Sequence, residues 1–298
     1  MEKYIISDLL IENLCFESGK SYSADRENCF FERTKGRISI SKIKIGSDRE
    51  AEIYGCRRGT HITVSFPPVW ELDANDIRCL SEALAAEIRQ VLCELLRRAV
   101  NNNGIFVVGG LGNRGITPDS IGPLTAERIT VTRHVAKASP NSFESLGVCS
   151  VCAVNCGVLG ETGVESLELL KGIVREIRPD AVIVVDALAT KEGDRIGRAV
   201  QISDSGIVPG AGIGNRQSAI NQEALGVPVI AIGVPTVVSA ATLICHSLQR
   251  LGICADEKSI ELIKKSTDSY VTLKECDIVC RNLSEILAEA IDRALGVI

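Results

Sequence analysis

The chain lacks a basic excess, an export signal and the common histidine-based motifs. Lys and Arg number 33 against 38 Asp and Glu, a formal net charge of −5 over 298 residues. Nothing in that balance makes a positive face for phosphates, so direct binding to DNA or RNA is not expected. The first residues, MEKYIISDLLIENLCFESG, have no basic stretch followed by an apolar run and a small-residue cleavage site. A secretory leader is therefore not expected, and the 12 cysteines predict free thiols in a reducing cytoplasm. There is no G-x-S-x-G elbow, no H-E-x-x-H and no G-x-x-x-x-G-K-[ST]. Elbow serine hydrolases, helix-borne zinc peptidases and P-loop nucleotidases are excluded with them. No repeat, low-complexity tract or linker divides the chain, and a composition 45% hydrophobic and 24% charged is that of an ordinary globular protein.

Charge is also missing from Ala224 to Gln249. A membrane span would need such a stretch, but Gly226, Pro228, Gly233 and Pro235 interrupt it. It reads as a buried strand at 229–232, a turn, and a helix after Pro235, so no membrane span is expected. Two further apolar runs, 105–108 and 181–185, are apolar on both faces, as interior parallel strands are. Alternation at 37–45 and the run 61–66, stopped by Pro67-Pro68, predict two more strands. Helices are expected over 73–100, 123–136, 164–177 and 282–295, while residues 1–35 read as an irregular arm. Alternating strands and helices mean an α/β fold: a mixed, mostly parallel sheet with helices on both faces. A single domain over 9–298 is expected, with N-terminal embellishment over about residues 9–100.

Within GGLGNRGITPDSIGPL (109–124), Gly110, Gly112 and Gly115 fit G-x-G-x-x-G. A dinucleotide site also needs a helix at the third glycine and an acidic residue about 20 positions on. Ile116-Thr117-Pro118 follows Gly115, and no carboxylate stands at 129–133. The alternative is that the loop presents Asp119, with Thr117 as a cap and Pro118 opening a helix whose positive end favours an ionised carboxylate. Asp119 can equally be an ordinary helix-start residue. Asp186 ends the apolar run 181–185, at the sheet edge where α/β sites form. If the two strands are neighbours, both carboxylates meet in one crevice, share a proton and act as acid and base toward water. Asp186 can also be only a cap.

Around that pair, Gly112 and the other loop glycines would let substrate backbone approach or lend N–H groups to an oxyanion. Asn113 is either an orienting group or a turn residue. Asp204, Asn215 and the glycines between them suggest a second loop at the same edge, and His134 is the one histidine placed to join the site. Cys149, Cys152 and Cys156 lack a nearby fourth ligand, so no metal and no cofactor are expected.

GLGNRGITPDSIGPL, VTRH (131–134), GETGVES (160–166), VVDALA (184–189), QISDSGIVPGAGIGN (201–215), GVPVIAIGVPTVV (226–238) and YVTLKECD (270–277) together resemble the germination protease family of spore-forming bacteria. The resemblance runs from about residue 104 to the end, with an echo at Ser7-Asp8-Leu9; residues 15–70 match poorly. It implies a fold similar to hydrogenase-maturation proteases and an endopeptidase that degrades small acid-soluble spore proteins in the spore-core cytoplasm. It implies a homotetramer made as a zymogen that removes its own propeptide. It places the active site on Asp119 and Asp186, and the processing bond at Asp8–Leu9, so that residues 1–8 leave. A metal-directed maturation peptidase using Asp119, Asp186 and His134 is the rival enzyme reading, and a non-catalytic binder of spore proteins is the other.

Overall fold

The three apolar runs become the interior of one sheet. The computed structural model describes residues 7–12, 30–213, 217–253 and 255–298, and nine strands among them share that sheet. They are β1 (Phe30–Lys35), β2 (Ile38–Ile45), β3 (Gly59–Ser65), β4 (Ile105–Leu111), β5 (Ser150–Gly157), β6 (Ala181–Thr190), β7 (Ala199–Ser203), β8 (Val229–Ser239) and β9 (Tyr270–Val271). The order is β1-β2-β3-β7-β8-β6-β4-β5, with β9 on β8. β5, β4, β6 and β8 are parallel; β7, β3, β2 and β1 continue the sheet antiparallel. This is the expected α/β class, a mixed sheet with helices on both faces.

One face packs Phe106, Val108, Ile183, Val185, Ile202 and Ile232 under helices Ala74–Leu96 and Cys276–Ala294. The first of these helices is set by its sequence. Asp73 caps it by accepting the Asp76 N–H at 2.8 Å, and Leu80, Leu84, Ile88, Val91 and Leu92 recur at helical spacing on its buried side. On the other face, helix Ser166–Ile177 buries Leu167, Leu170 and Val174 against Val107, Val182, Val184 and Val229. That helix covers the parallel half of the sheet. Toward β7 and β3 the same face is left to a cleft.

Three expectations are corrected. Residues 1–35 are not an irregular arm throughout, because 30–35 form β1 and residues 7–12 are packed into the molecule. Leu9 and Leu10 drive that packing; both are buried, Leu10 against Ile43 and Ile45. The helix expected over 123–136 is two short ones, Ile121–Ala126 and Arg133–Ala138. Ile129, Thr130, Val131 and Thr132 are β-branched, and the break is tied down elsewhere. The Thr130 N–H donates to the Asp292 carboxylate and the Thr132 N–H to the Val151 carbonyl. Finally, β8 does not turn at Pro235 but runs on to Ser239. The Pro235 carbonyl accepts from the Gly197 N–H, so the missing proline donor faces the β7 side, where pairing of β7 with β8 has ended at Gly233. The uncharged stretch at 224–249 is thus chiefly an interior strand followed by helix Ala240–Arg250, and no helix among the described residues is long and apolar enough to cross a membrane.

Candidate active site

The glycine loop holds a carboxylate. The Asn113 N–H donates to Asp119 Oδ2 at 2.7 Å. Gly112 precedes it at φ +103°, where a Cβ would stand 2.2 Å from the Asp119 carbonyl oxygen and 2.8 Å from its Oδ1. Asn113 itself closes the turn, its Oδ1 accepting from the Gly115 N–H at 2.7 Å. The expected Thr117 cap is absent. Thr117–Asp119 is one turn of 3₁₀ helix with Ile116 at its cap position, and the α-helix starts only at Ile121. Burial pushes the Asp119 carboxyl up from its ordinary value, the Asn113 N–H opposes this, and Glu161 adds to it. The backbone N–H, not a helix terminus, favours ionisation at Asp119.

Asp186 lies inside β6, with four strand residues still to come before it ends at Thr190. It caps no helix. It is 5% exposed, and its Oδ1 accepts from the adjacent Ala187 N–H at 2.9 Å. Burial holds its carboxyl well above the usual carboxylate range. The charge of Asp119 pushes the same way, the Ala187 N–H opposes, and Asp8 adds a smaller push. Both carboxyls are therefore raised, Asp186 further than Asp119.

Both open into one cavity of about 1050 Å³, which Asp8, Gln201, Asp204 and His61 also line. Ser7, Asp8 and Leu10 of the segment 7–12 form part of its wall. The Asp8 N–H donates to the Ala189 carbonyl at 3.0 Å, and Asp8 Oδ2 accepts from the Ala189 N–H at 2.8 Å. Four residues on, the buried Glu12 carboxylate accepts from Thr190 Oγ1 and the Lys191 N–H and faces the Arg195 guanidinium at 3.5 Å. Burial raises the Asp8 carboxyl to about 6, against its bond from Ala189 and with help from Glu12. An acid whose folded value is raised stabilises its seat fully below the unfolded value, about 3.9, and loses that contribution as pH rises through the folded one. Hydrogen exchange, corrected for intrinsic rates, should show residues 7–12 opening more readily at pH 7.5 than at pH 5, with Asp8→Asn removing the difference. A pH-independent opening in the unsubstituted chain would contradict this.

The remaining expected residues divide. Asp204 reaches the cleft and accepts from the Thr60 N–H at 2.6 Å. His134 is exposed on helix Arg133–Ala138 and is not among the cavity-lining residues. Asn215 lies outside the described residues. Cys149 precedes β5 and Cys152 and Cys156 lie on it, all free thiols, and no group of three or more His, Cys, Asp or Glu among the described residues is arranged to hold a metal. Sequence reasoning missed Gln201, His61 and Glu12. For Gln201 a signal existed: it and Ser203 alternate with Val200 and Ile202 on an interior strand, so a polar pair had to face something other than the core.

Comparison with known proteins gives the family. A family model described as germination protease matches residues 12–252. A germination protease of Clostridium acetobutylicum is 37% identical over 281 residues, 87% of this chain and 85% of that protein. One from Clostridium tetani is 34% identical over 288 residues, 89% and 87%. One from Bacillus velezensis is 37% identical over 242 residues, 80% and 64%. Among solved structures, a [NiFe] hydrogenase maturation protease, HycI from Thermococcus kodakarensis, matches at 20% identity with a TM-score of 0.36, covering 68% of this chain and 99% of that one. With a family model spanning most of its length and relatives above 30% identity over nearly all of it, the chain belongs to the germination protease family.

Proposed function

We propose that this peptidase cuts small acid-soluble spore proteins in the spore-core cytoplasm at germination, using Asp119 and Asp186 as a paired base and acid. The observation that carries the reading is that both carboxylates line one cleft and the charge of Asp119 raises the Asp186 carboxyl. Asp119 takes a proton from water as the water oxygen bonds to the scissile carbonyl carbon and the carbonyl electron pair moves onto oxygen. That pair then returns, the C–N bond breaks, and the leaving nitrogen takes the proton of Asp186. A carboxylic acid and an amine are released, and a proton passes from Asp119 to Asp186 to reset the pair. Titration belongs to the pair, so kcat/KM should be bell-shaped in pH.

The same reading makes residues 1–8 a propeptide, removed by the chain itself at Asp8–Leu9, and 9–298 one peptidase domain that assembles as a homotetramer. The segment 7–12, part of the cleft wall, supports it. The test is incubation of full-length protein, and of protein without its first eight residues, with a small acid-soluble spore protein, fragments being read by mass spectrometry. Discrete fragments are expected, and Asp119→Asn should slow their formation by about 10²–10⁴-fold. A folded Asp119→Asn that cuts at the unsubstituted rate rules the pair out. Tight substrate binding without fragments favours the non-catalytic binder.

A further inference from the structure

Gln201 makes two bonds to one short stretch of backbone. Its Nε2 donates to the Asp8 carbonyl oxygen at 3.0 Å, and its Oε1 accepts from the Leu10 N–H at 2.9 Å. A carbonyl only accepts and an amide N–H only donates, so the two partners together fix which way the Gln201 amide points. The contacts straddle the Asp8–Leu9 peptide bond, and the accepting oxygen is that bond's own carbonyl.

Register aligns this clamp with the acid pair. Gln201 stands opposite Gly233 in the β7–β8 pairing, and Gly233 stands opposite Asp186 in the β6–β8 pairing. Cross-strand partners share a face, and Gly233 adds no side chain of its own there, the Leu188 side chain lying over it instead. Gln201 and Asp186 therefore project into the same cavity from strands two apart, about 10 Å between backbones. Asp119 borders that cavity as well.

We propose that Gln201 is a third catalytic residue: its Nε2–H binds the oxygen of the carbonyl under attack, while its Oε1 holds the N–H of the second residue beyond the bond. This rests on the peptidase reading above. As the water oxygen bonds to the carbonyl carbon and Asp119 takes the water proton, the carbonyl electron pair moves onto the oxygen that Gln201 already contacts. The bond from Nε2 strengthens as that charge grows, so it stabilises the transition state more than the bound peptide. When the C–N bond breaks and Asp186 protonates the nitrogen, the pair returns and the contact relaxes. The other half of the clamp reads backbone, so it selects peptides able to offer an N–H at that second position.

The test uses the full chain and a synthetic peptide of residues 4–14, YIISDLLIENL. Gln201→Glu keeps an acceptor for the second N–H and loses the donor. Gln201→Leu loses both without adding charge. For Gln201→Glu, kcat should fall by about 100-fold or more with KM nearly unchanged; for Gln201→Leu, kcat should fall equally and KM rise. A depsipeptide with oxygen replacing the Leu10 N–H should raise KM for the unsubstituted enzyme and make no difference to Gln201→Leu. Either variant, folded by circular dichroism and with kcat within about threefold of the unsubstituted enzyme, overturns the role of Gln201 and leaves the acid pair standing. An unsubstituted chain that cuts neither this peptide nor its own Asp8–Leu9 bond overturns the peptidase reading and this role together.

Discussion

Asp186→Asn should lower peptide cleavage by about 10²–10⁴-fold and at the same time raise the melting temperature at neutral pH. The two effects share one origin. Burial and the charges of Asp119 and Asp8 hold the Asp186 carboxyl far above its unfolded value. The folded chain keeps the proton that the unfolded chain gives up. The stability tied to that proton is fully present below about pH 3.9 and drains away as pH rises toward the raised folded value. Asparagine is close in shape, carries no charge and has nothing to lose in that interval. Melting curves of both proteins from pH 4 to pH 8 should therefore converge at the acid end and separate toward neutrality, with Asn higher. A constant gap would mean that Asp186 is not strained by its surroundings. A variant with unaltered turnover would mean that its proton is not used.

Gly122→Ala should be severely destabilising. A Cβ there would stand 2.2 Å from the Leu111 carbonyl oxygen, 2.4 Å from that of Val185 and 2.6 Å from the Leu111 nitrogen. All three are backbone atoms of strands that flank the acid pair, and none can swing aside. Overpacking against rigid backbone costs about 3 kcal/mol, which in a chain of this size lowers the melting temperature by roughly 6–12 °C. Gly110→Ala meets the same contact from the other side, its Cβ 2.3 Å from the Gly122 carbonyl oxygen. Gly172→Ala is the control. It is exposed within helix Ser166–Ile177 with nothing within 4 Å of its Cβ, so it should be neutral or slightly stabilising. Calorimetry on the three variants decides the matter, and equal melting temperatures for Gly122→Ala and Gly172→Ala would refute the close-approach account.

The glycines of GGLGNRG show what a sequence can and cannot tell. Their density marks a loop with special backbone, and the missing ribose carboxylate argues against a nucleotide. Which glycine met which atom was invisible, because Gly110 answers to Gly122, a dozen residues along the chain. Asp119 and Asp186 were found by their place after apolar strands, which is local information. What holds each carboxylate was not legible in the same way. Thr117 caps nothing, and Asp186 sits in mid-strand because β6 and β8 stay paired well past it, to Thr190 and Val238. Pro235 looked like a stop since a lone strand cannot show where its neighbour ends. His134 follows Asp119 closely in sequence, but helix Arg133–Ala138 leaves it exposed and off the cavity wall. Ser7-Asp8-Leu9 stood out as a motif, but its seat on Ala189 and Gln201 depends on residues more than 180 positions away.

The sheet changes direction at one seam. Only Gln201–Gly233, Ile202–Ile232 and Ser203–Ala231 join β7 to β8. Both aspartates belong to the parallel side, while Gln201 belongs to the antiparallel side, which β3, β2 and β1 continue outward. A small twist about those three pairs would carry the clamp toward or away from the acids without disturbing either carboxylate. On the proposed mechanism, changes in β1, β2 and β3 act on the peptide held at Gln201 rather than on Asp119 and Asp186. On that reading, the choice of substrate and the chemistry performed on it reside on opposite sides of the seam.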